Sequence, residues 1–363
     1  MSSELRATPG AGGRAAVLAV DVGNGKTDLA LVAADGALIG AVRGPTASHQ
    51  AVGLERGLDR LATLAIRAAA RARTPAPGPA GDGLATVAGS DRSASLVPIA
   101  TIGAFCLAGA DTPRDIRRLV HAIRRRGLVA DVLVRNDTDA ALRAGAPEGW
   151  GVVLVCGEGF NCLGVHPDGR TIRLPALGEI SGDRGGGHGL GMAALAAAIR
   201  GRDGRGPRTA LEMEVPAFFG LRRPLDVTYA IYGGRLAERR LGELAPVVFA
   251  TAQAGDAEAQ GIADSLADEL AGAATATIRR LRLVRAAVPV VLSGGVFRTD
   301  DADFHARLRA RIQDRVPRAR VAILDVPPVV GAALLGLDRA GAPPSAGDRI
   351  RTELTEARLA PIS

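Results

Sequence analysis

The feature that most constrains the fold is a pattern of three short strands joined by tight turns, which occurs twice. In the first copy, an apolar run from Ala15 to Val20 ends at Asp21 and a glycine turn, and an alternating strand and an Asp-Gly turn follow. The second copy begins at Gly151 and has the same elements in the same order and at nearly the same lengths. The pattern predicts an internal duplication and two similar α/β domains that face one another. A chance likeness between two glycine-turn hairpins is the alternative.

The length of 363 residues also suits about two domains. We expect a disordered N-terminus over residues 1–13, a first domain over 14–146, a second domain over 147–340 and a flexible tail over 341–363. Hydrophobic spacing predicts helices at about 51–72, 112–126, 192–200, 235–254 and 256–285. Further strands are predicted at 96–107, 130–134 and 288–292, and the Pro/Gly-rich residues 74–83 are predicted to form a loop.

Composition excludes several classes of protein. No apolar run approaches the ~20 residues that span a bilayer, so we expect no membrane partner. The three cysteines have no CxxC pairing and no charged-then-apolar leader precedes Ala15, which predicts a reduced, cytoplasmic protein. The net charge of +7 raises the alternative of a nucleic-acid or acidic partner. However, the arginines recur at helical spacing among core residues, so we expect solvated helix faces and no nucleic-acid partner.

The first glycine turn, Gly23 to Thr27, contains Lys26, which is the only lysine among 45 basic residues. Such a turn exposes several backbone N–H groups in one concavity, which suits anionic oxygen, and Lys26 adds positive charge. Asp21, at the end of the preceding strand, is positioned to hold Mg²⁺ or its waters. The turn is not a Walker A loop, because a strand follows it where that loop leads into a helix. Alone it also fits an ordinary hairpin, but similar turns at Gly157 and Gly294 favour a nucleotide site.

A set of short motifs, in this order, resembles the N-acetylglucosamine kinase / BadF-BadG-type ATPase family, which belongs to the actin, sugar kinase and Hsp70 ATPase superfamily. The motifs are DVGNGKTD from Asp21, AGAD from Ala108, ND at Asn136, GEGFNC from Gly157, GDRG from Gly182, GRDGRGP from Gly201, LSGG from Leu292 and PPVVG from Pro327. The resemblance extends from about Ala15 to Leu337. It implies an α/β fold of two ribonuclease-H-like (actin-like ATPase) domains, with ATP and sugar in the cleft between them.

The resemblance also implies roles for individual residues in binding ATP and Mg²⁺. It implies that Asp21 organises the metal. The implied nucleotide-binding residues are Gly23, Asn24, Gly25, Lys26 and Thr27 in the first phosphate loop, Gly157, Glu158 and Gly159 in the second, and Gly294 and Gly295 in the turn on the adenosine side.

On the sugar side, the resemblance implies that Asp137 is the catalytic base that takes the proton from the attacking hydroxyl. Phosphoryl transfer needs mainly positioning and charge neutralisation, with one carboxylate oriented to the nucleophile. The alternative is that Asp137 is only a helix N-cap. The implied sugar-binding residues are Ser48, His49, Asn136, Asp137, Asn161, Leu177 and Asp183, although Asp183 also suits a turn before the following glycines.

Four positions depart from the family pattern. Gly25 lacks the hydroxyl of the usual threonine, and Glu158 replaces the threonine that contacts phosphate in the second loop. Ser48 stands where an asparagine usually contacts the sugar, and Leu177 occupies a usual tryptophan position. A carboxylate that faces a polyphosphate repels it unless Mg²⁺ lies between them or the side chain turns away.

These residues lead to one principal functional hypothesis and several alternatives. The principal one is an ATP- and Mg²⁺-dependent kinase that phosphorylates an N-acetylhexosamine, most simply N-acetylglucosamine, at its 6-hydroxyl, and relatives imply a homodimer. The alternatives are a kinase for a different amino sugar and a sugar- or nucleotide-binding sensor with weak or no catalysis. A third is an ATPase that activates a radical dehydratase, which would need cysteine thiolates around an iron–sulfur cluster.

Overall fold

The structure is a computed structural model that describes residues 15–71 and 98–359. The described chain divides into two compact units, the first reaching to Ala140 and resuming at Val326, the second extending from Ala141 to Asp325. This division differs from the predicted boundaries at 146 and 340. The difference at the C-terminal side arises because residues after 325 return to the first unit, where they pack on its sheet. The predictions for residues 1–13, 74–83 and 360–363 lie outside the described residues.

The first unit contains one five-stranded sheet in the order β3-β2-β1-β4-β5. Strand β1 is antiparallel to β2 and parallel to β4, and β4 is parallel to β5. Helices cover both faces, so the strands read as nearly continuous apolar runs. The elements are β1 (Ala15–Val22), β2 (Lys26–Val32), β3 (Leu38–Pro45), α1 (His49–Val52), α2 (Leu54–Arg71), β4 (Ala100–Leu107), α3 (Pro113–Arg124), β5 (Val129–Arg135) and α4 (Asp137–Gly145), which continues into the second unit.

The second unit repeats this sheet. Its strands lie in the order β10-β9-β6-β7-β8, which is the same succession of an antiparallel three-stranded meander followed by two parallel strands. The predicted duplication is therefore confirmed at the level of topology. The elements are β6 (Gly151–Cys156), β7 (Phe160–Val165), β8 (Thr171–Arg173), α5 (Gly186–Asp203), α6 (Leu211–Phe218), α7 (Pro224–Tyr232), α8 (Ala245–Gln253), α9 (Ala257–Arg280), β9 (Pro289–Ser293), α10 (Ala302–Arg315) and β10 (Arg320–Ile323).

The chain ends with two helices, α11 (Val329–Ala340) and α12 (Pro344–Glu353). The expectation of a loose tail from residue 341 was therefore wrong for the described residues, because Ala346 and Ile350 of α12 are buried in the core of the first unit. Short 3₁₀ helices occur at Gly178–Ser181, Glu238–Leu244, Gly295–Arg298 and Glu356–Arg358.

Other predicted helices have shifted ends. The helix predicted at 51–72 is interrupted by Gly53, whose φ of 83° separates α1 from α2. The helix predicted at 235–254 is a 3₁₀ helix followed by α8, and α6, α7 and α10 were not predicted. These helices have weak or broken apolar periodicity, and α6 even contains Pro216, so pattern alone does not reveal them.

Candidate functional site

A row of charged side chains crosses the first sheet close to the carboxyl end of β1. Asp21 on β1 pairs with Asp28 on β2, and Asp28 pairs with Arg43 on β3. In the other direction, Asp21 pairs with Cys106 on β4, which pairs with Arg135 on β5. Residues that are directly opposite in a sheet share a face. The topology therefore brings two carboxylates and two guanidinium-bearing side chains into one row.

Asp28 is the most completely buried carboxylate of this row. Its Oδ1 accepts from Arg43 Nε at 2.6 Å, and its Oδ2 accepts from Arg43 Nη2 at 2.7 Å and Lys26 Nζ at 2.9 Å. The bidentate geometry is the strong form of this pair. The guanidinium of Arg43 also contacts Glu356 at 2.7 Å. Lys26 therefore points along the strand toward Asp28, and its side chain retains 37% exposure.

Asp21 is buried beside these groups. Burial raises the pKa of its carboxyl well above 3.8, and the negative charges of Asp28 and Asp137 raise it further, while Lys26 and Arg43 act in the opposite direction. The carboxyl therefore lies where an added cation would be favourable. Sequence reasoning had selected Asp21 but had missed Asp28 and Arg43, although an acidic residue within an apolar strand such as Lys26–Val32 is itself a signal of a pairing partner.

The first glycine turn is a tight hairpin connection held by the segment that follows β3. Gly23 N donates to Lys26 O at 3.0 Å and closes the turn, which leaves Asn24 and Gly25 exposed at its tip. The hydroxyl of Thr46 donates to Gly23 O, and Thr27 Oγ1 accepts from Ala47 N at 2.8 Å. Thr27 is thus buried, and its hydrogen bond with Ala47 anchors the loop to the segment that follows β3.

The carboxyl ends of β4 and β5 lie at the same edge of the sheet as that of β1, because these three strands are parallel. Asn136 and Asp137 follow β5, and Asp111 follows β4 and Gly109. Asn136 Nδ2 donates to Asp111 Oδ1 at 2.9 Å, and Asn136 Oδ1 accepts from Thr138 N at 3.1 Å. Asn136 is thus buried, and both the nitrogen and the oxygen of its side-chain amide form hydrogen bonds.

These contacts bear on the N-cap interpretation of Asp137. Asn136 caps α4, since its side chain accepts from the second residue of the helix, and Asp137 is the first helical residue. The N-cap interpretation of Asp137 is therefore wrong. Thr112 caps α3 and forms a capping box with Asp115, so Asp111 is not the cap of that helix.

Ser48 and His49 lie at the start of α1. The imidazole of His49 lies over Gly109, where an added Cβ would be 2.6 Å from His49 Cε1. Burial lowers the pKa of His49, so its imidazole is neutral at pH 7. Gln50 Nε2 reaches Asp111 Oδ2 at 3.4 Å, which places this helix beside Asp111.

The second glycine turn connects β6 and β7 in the second unit. Gly157 N donates to Gly159 O at 2.8 Å, and the loop is anchored to the start of α5 because Gly187 N donates to Gly157 O and His188 N to Glu158 O. Glu158 itself is exposed at the tip.

The third glycine turn follows β9, which is parallel to β6, so its Gly294 and Gly295 lie at the same edge as the second turn. Gly294 has a φ of 111°, and a Cβ there would be 2.3 Å from Cys156 O. Only glycine allows this approach of the two strand ends. Asn161, the second residue of β7, pairs across the ladder with Val155, which itself pairs with Ser293 on β9.

Leu177 and Asp183 flank the 3₁₀ helix that precedes α5. Leu177 is half exposed, and its N–H donates to Ser181 Oγ at 2.9 Å. The hydroxyl of Ser181 donates to Asp183. Ala176 adopts a φ of 53°, which is uncommon for a residue with a side chain and marks a strained connection.

All three cysteines are buried, and burial determines the protonation state of their thiols. It raises the pKa of Cys156 and Cys162 to about 12, and it also raises the pKa of Cys106. The thiols are therefore protonated at neutral pH and lie inside strands, which does not suit an iron–sulfur cluster held between subunits.

Two features are absent from residues 15–71 and 98–359, and they concern metal and membrane binding. In these ranges no three His, Cys, Asp or Glu side chains are grouped as around a metal ion. Mg²⁺ commonly uses only one or two carboxylates with water and phosphate oxygens, and the buried carboxyl of Asp21, whose pKa is raised by burial and by Asp28 and Asp137, fits such an ion. Over the same ranges, no helix is long and apolar enough to cross a membrane.

Two copies of a five-stranded sheet with this strand order, each covered by helices, define the class of protein. They are ribonuclease-H-like domains of the kind found in actin-like ATPases and sugar kinases, which confirms the predicted fold class. The model of the BadF/BadG/BcrA/BcrD ATPase family matches residues 18–336, and the chain belongs to this family.

Two relatives with assigned activities are similar in sequence. An N-acetylmuramic acid/N-acetylglucosamine kinase of Clostridium acetobutylicum is 31% identical over 195 residues, which cover 53% of this chain and 64% of that protein. The chain thus matches less than two thirds of this relative's length. An N-acetyl-D-glucosamine kinase of Dictyostelium discoideum is 27% identical over 244 residues, which cover 66% of this chain and 76% of that protein.

Solved structures support the fold. A Chromobacterium violaceum protein provisionally named an N-acetylglucosamine kinase superposes with a TM-score of 0.64 at 23% identity, over 88% of this chain and 98% of that one. A ROK family glucokinase from Streptomyces griseus, solved with glucose and AMPPNP, gives 0.53 at 15% identity over 88% and 98%.

Proposed function

We propose that the protein is an ATP-dependent kinase that phosphorylates the 6-hydroxyl of an N-acetylhexosamine, most simply N-acetylglucosamine. The observation that carries the proposal is the grouping of carboxylates at one edge of the first sheet. Asp21, Asp111 and Asp137 follow or end three parallel strands, which is where α/β proteins bind ligands. Membership of an ATPase family and the two kinases among its relatives support the same reaction type.

Each group of site residues would have a separate role in phosphoryl transfer. Asp21 would hold Mg²⁺, which neutralises phosphate charge when bound with ATP. The first turn, with Lys26, and the second turn, at Gly157 to Gly159, would hold phosphate oxygens through backbone N–H groups. Gly294 and Gly295 would form the adenosine side.

On the sugar side, His49, Asn161, Leu177 and Asp183 would contact the substrate. Asp137 is the proposed base, because it follows β5 at the same edge of the sheet as Asp21 and its charge acts on that carboxyl. Asp111 is a second carboxylate for this role, since its hydrogen bond with Asn136 orients it at the same edge.

A panel of sugars in a coupled ADP-release assay tests the reaction, and two isosteric variants separate the roles of the carboxylates. Loss of the base lowers kcat about 10²–10⁴-fold, so we expect this loss in Asp137→Asn. A full loss in Asp111→Asn with activity kept in Asp137→Asn would transfer the role to Asp111. No turnover with any sugar would overturn the kinase. Omitting Mg²⁺ should abolish turnover.

A sensor without catalysis is the second candidate function, and Glu158 motivates it. This exposed carboxylate stands at the tip of a proposed phosphate loop. Because this carboxylate would repel ATP, Glu158→Thr should lower the Kd for ATP about fivefold, as expected for ~1 kcal/mol of repulsion in water. Calorimetry that detects sugar and nucleotide binding without ADP formation would favour the sensor.

We also propose that two copies of the chain associate through α7. Leu225, Tyr229 and Tyr232 form an exposed stripe at i, i+4 and i+7 of α7, and Tyr232 is 92% exposed. Such aromatic and apolar stripes are typical of interfaces. Arg222 and Arg223 precede α7 and lie at its N-terminus, which is the positive end of the helix dipole. If α7 packed antiparallel on the α7 of a second copy, these arginines would lie beside the C-terminus of the partner helix, which is the negative end of its dipole. The face is therefore complementary to itself.

Light scattering during size-exclusion chromatography tests this association. The double variant Tyr229→Glu/Tyr232→Glu should be monomeric, whereas Ile66→Glu, at an exposed apolar position of the first unit, should remain dimeric. A monomeric wild-type protein would overturn the proposal. We further propose a cytoplasmic location, which the reduced, buried cysteines support.

A further inference from the structure

A chain of alternating charges connects the C-terminal segment with the first glycine turn. Glu356 Oε2 lies 2.7 Å from Arg43 Nη1, and the Nε and Nη2 of the same guanidinium donate to Asp28. Asp28 Oδ2 in turn accepts from Lys26 Nζ at 2.9 Å. Each guanidinium nitrogen of Arg43 therefore has a carboxylate partner, so this planar group is held on two of its edges.

These side chains share the face of the sheet that α11 and α12 cover. Side chains alternate between the two faces along a strand. Ala30 and Ala41, two residues from Asp28 and Arg43, belong to the core between the first sheet and these helices. The charged row therefore continues the face that the C-terminal helices close.

The segment that carries Glu356 is anchored on both sides of this residue. Leu354 is fully buried and Leu359 is 2% exposed, and both belong to the same core. Just before them, Glu353 accepts from Leu38 N at 2.8 Å at the start of β3. The backbone around Glu356 is thus fixed by contacts other than the ion pair with Arg43. Glu356 also lies beyond residue 336, where the family match ends.

A lysine that is held in place before a ligand arrives binds that ligand at a lower entropic cost. The lysine side chain is flexible, and ordering it opposes binding. Asp28 holds Lys26 Nζ with one of the three donors of the ammonium, so two donors remain for phosphate oxygens. The position of Lys26 therefore depends on the orientation of the Asp28 carboxylate, which the guanidinium of Arg43 fixes.

We infer that Glu356 is a positioning residue for ATP: it fixes Arg43, Arg43 orients Asp28, and Asp28 holds Lys26 toward the phosphates. The inference rests on the proposed function, and it assigns to the C-terminal segment a part in nucleotide binding. Glu356 itself does not touch the nucleotide in this arrangement, because Arg43 and Asp28 lie between it and the lysine.

Positioning and simple electrostatics predict opposite effects of Glu356→Gln. This variant removes a negative charge near the turn, so electrostatics alone would lower the KM for the polyanion ATP. Positioning predicts a rise of about threefold, the size expected for a partly exposed ion pair, with the KM for the sugar unchanged. Glu356→Asp keeps the charge on a shorter side chain and should recover part of the affinity.

A double-mutant cycle tests whether Glu356 acts through Lys26. In the Lys26→Met background, Glu356→Gln should leave the KM for ATP unchanged, because the group through which it acts is absent. Glu353→Gln is the matched control, since it removes another carboxylate of the same segment, one that binds Leu38 N and Arg349. This control should lower the unfolding midpoint but leave the KM for ATP unchanged.

The outcomes separate this inference from a structural role and from the kinase itself. A KM for ATP that is unchanged or lower in Glu356→Gln would overturn the inference while the kinase stands. An equal rise in Glu353→Gln, or in the Lys26→Met background, would also overturn it. If no sugar is phosphorylated, the kinase fails and calorimetry with ATP and Mg²⁺ decides. The same pattern in the Kd for ATP would support the positioning role, and equal Kd values or no binding to the wild type would overturn it.

Discussion

Asp21 and Asp28 lie directly opposite each other on adjacent antiparallel strands, and both carboxylates are buried. Like charges in this position destabilise a sheet. The pair persists because Arg43 and Lys26 neutralise Asp28, whereas Asp21 keeps a raised pKa. An arrangement that costs stability at the end of a central strand is typical of a functional site.

The raised pKa of Asp21 predicts a stability effect with a definite sign. The folded state holds a proton on Asp21 that the unfolded state, with a pKa near 3.8, releases. The resulting stability is fully present below pH ~4 and is lost as pH rises through the raised pKa. We therefore expect Asp21→Asn to raise the unfolding midpoint at neutral pH by about 2–4 °C, with the gain vanishing toward pH 4.

Thermal scans from pH 4 to 8 measure this effect, and Asp35→Asn is the control. The exposed carboxylate of Asp35 has a lowered pKa because it accepts from Ala37 N and pairs with Arg349, so its replacement should not stabilise. A midpoint of Asp21→Asn below that of wild type throughout this range would contradict the prediction.

Replacing Arg43 should be costly, because it leaves the buried Asp28 without its bidentate partner. Breaking such a pair costs about 3 kcal/mol or more. We expect Arg43→Met to lower the free energy of unfolding in urea by this amount. Arg339→Met removes an exposed pair with Asp131 and should change little. Adding Asp28→Asn to Arg43→Met should restore part of the loss, and equal effects of the two arginine variants would refute the argument.

Lys26 should act on ATP more than on the sugar. Its ammonium is shared with Asp28 and retains exposure at the first turn. We expect Lys26→Met to raise the KM for ATP about tenfold, as for the loss of one charged hydrogen bond, with the sugar KM unchanged. Lys26→Arg keeps the charge with a different shape and should recover part of the affinity. Equal changes in both KM values would indicate a structural effect instead.

Gly331 should be intolerant of even a methyl group. A Cβ at Gly331 would lie 1.8 Å from Ala140 O, because α11 passes against the helix that begins at Asp137. We expect Gly331→Ala to destabilise the protein by about 1–3 kcal/mol, as overpacking does, and to lower kcat. Gly272→Ala, in an open part of α9, should stabilise slightly. Chemical denaturation and steady-state kinetics measure both variants.

The sequence by itself determined the duplicated three-strand pattern, the further strands near β4, β5 and β9, and the glycine turns at strand ends, but it did not predict β10. It succeeded because strand periodicity and glycine turns are local properties. It also indicated Asp21, since an acidic residue at the end of an apolar run can be recognised from the sequence alone. Helices α6 and α7 were not predicted, because their sequences have weak or broken apolar periodicity and tertiary packing stabilises them.

Only the tertiary structure decided which side chains meet. Asp28 and Arg43 are 15 residues apart, and the strand register alone brings them together. The bond between Asn136 and Asp111 depends on two parallel strands joined by a crossover, and the return of α11 to the first unit depends on long-range packing. Contacts between residues distant in sequence carry no local signal, so they appear only when the sheet is assembled.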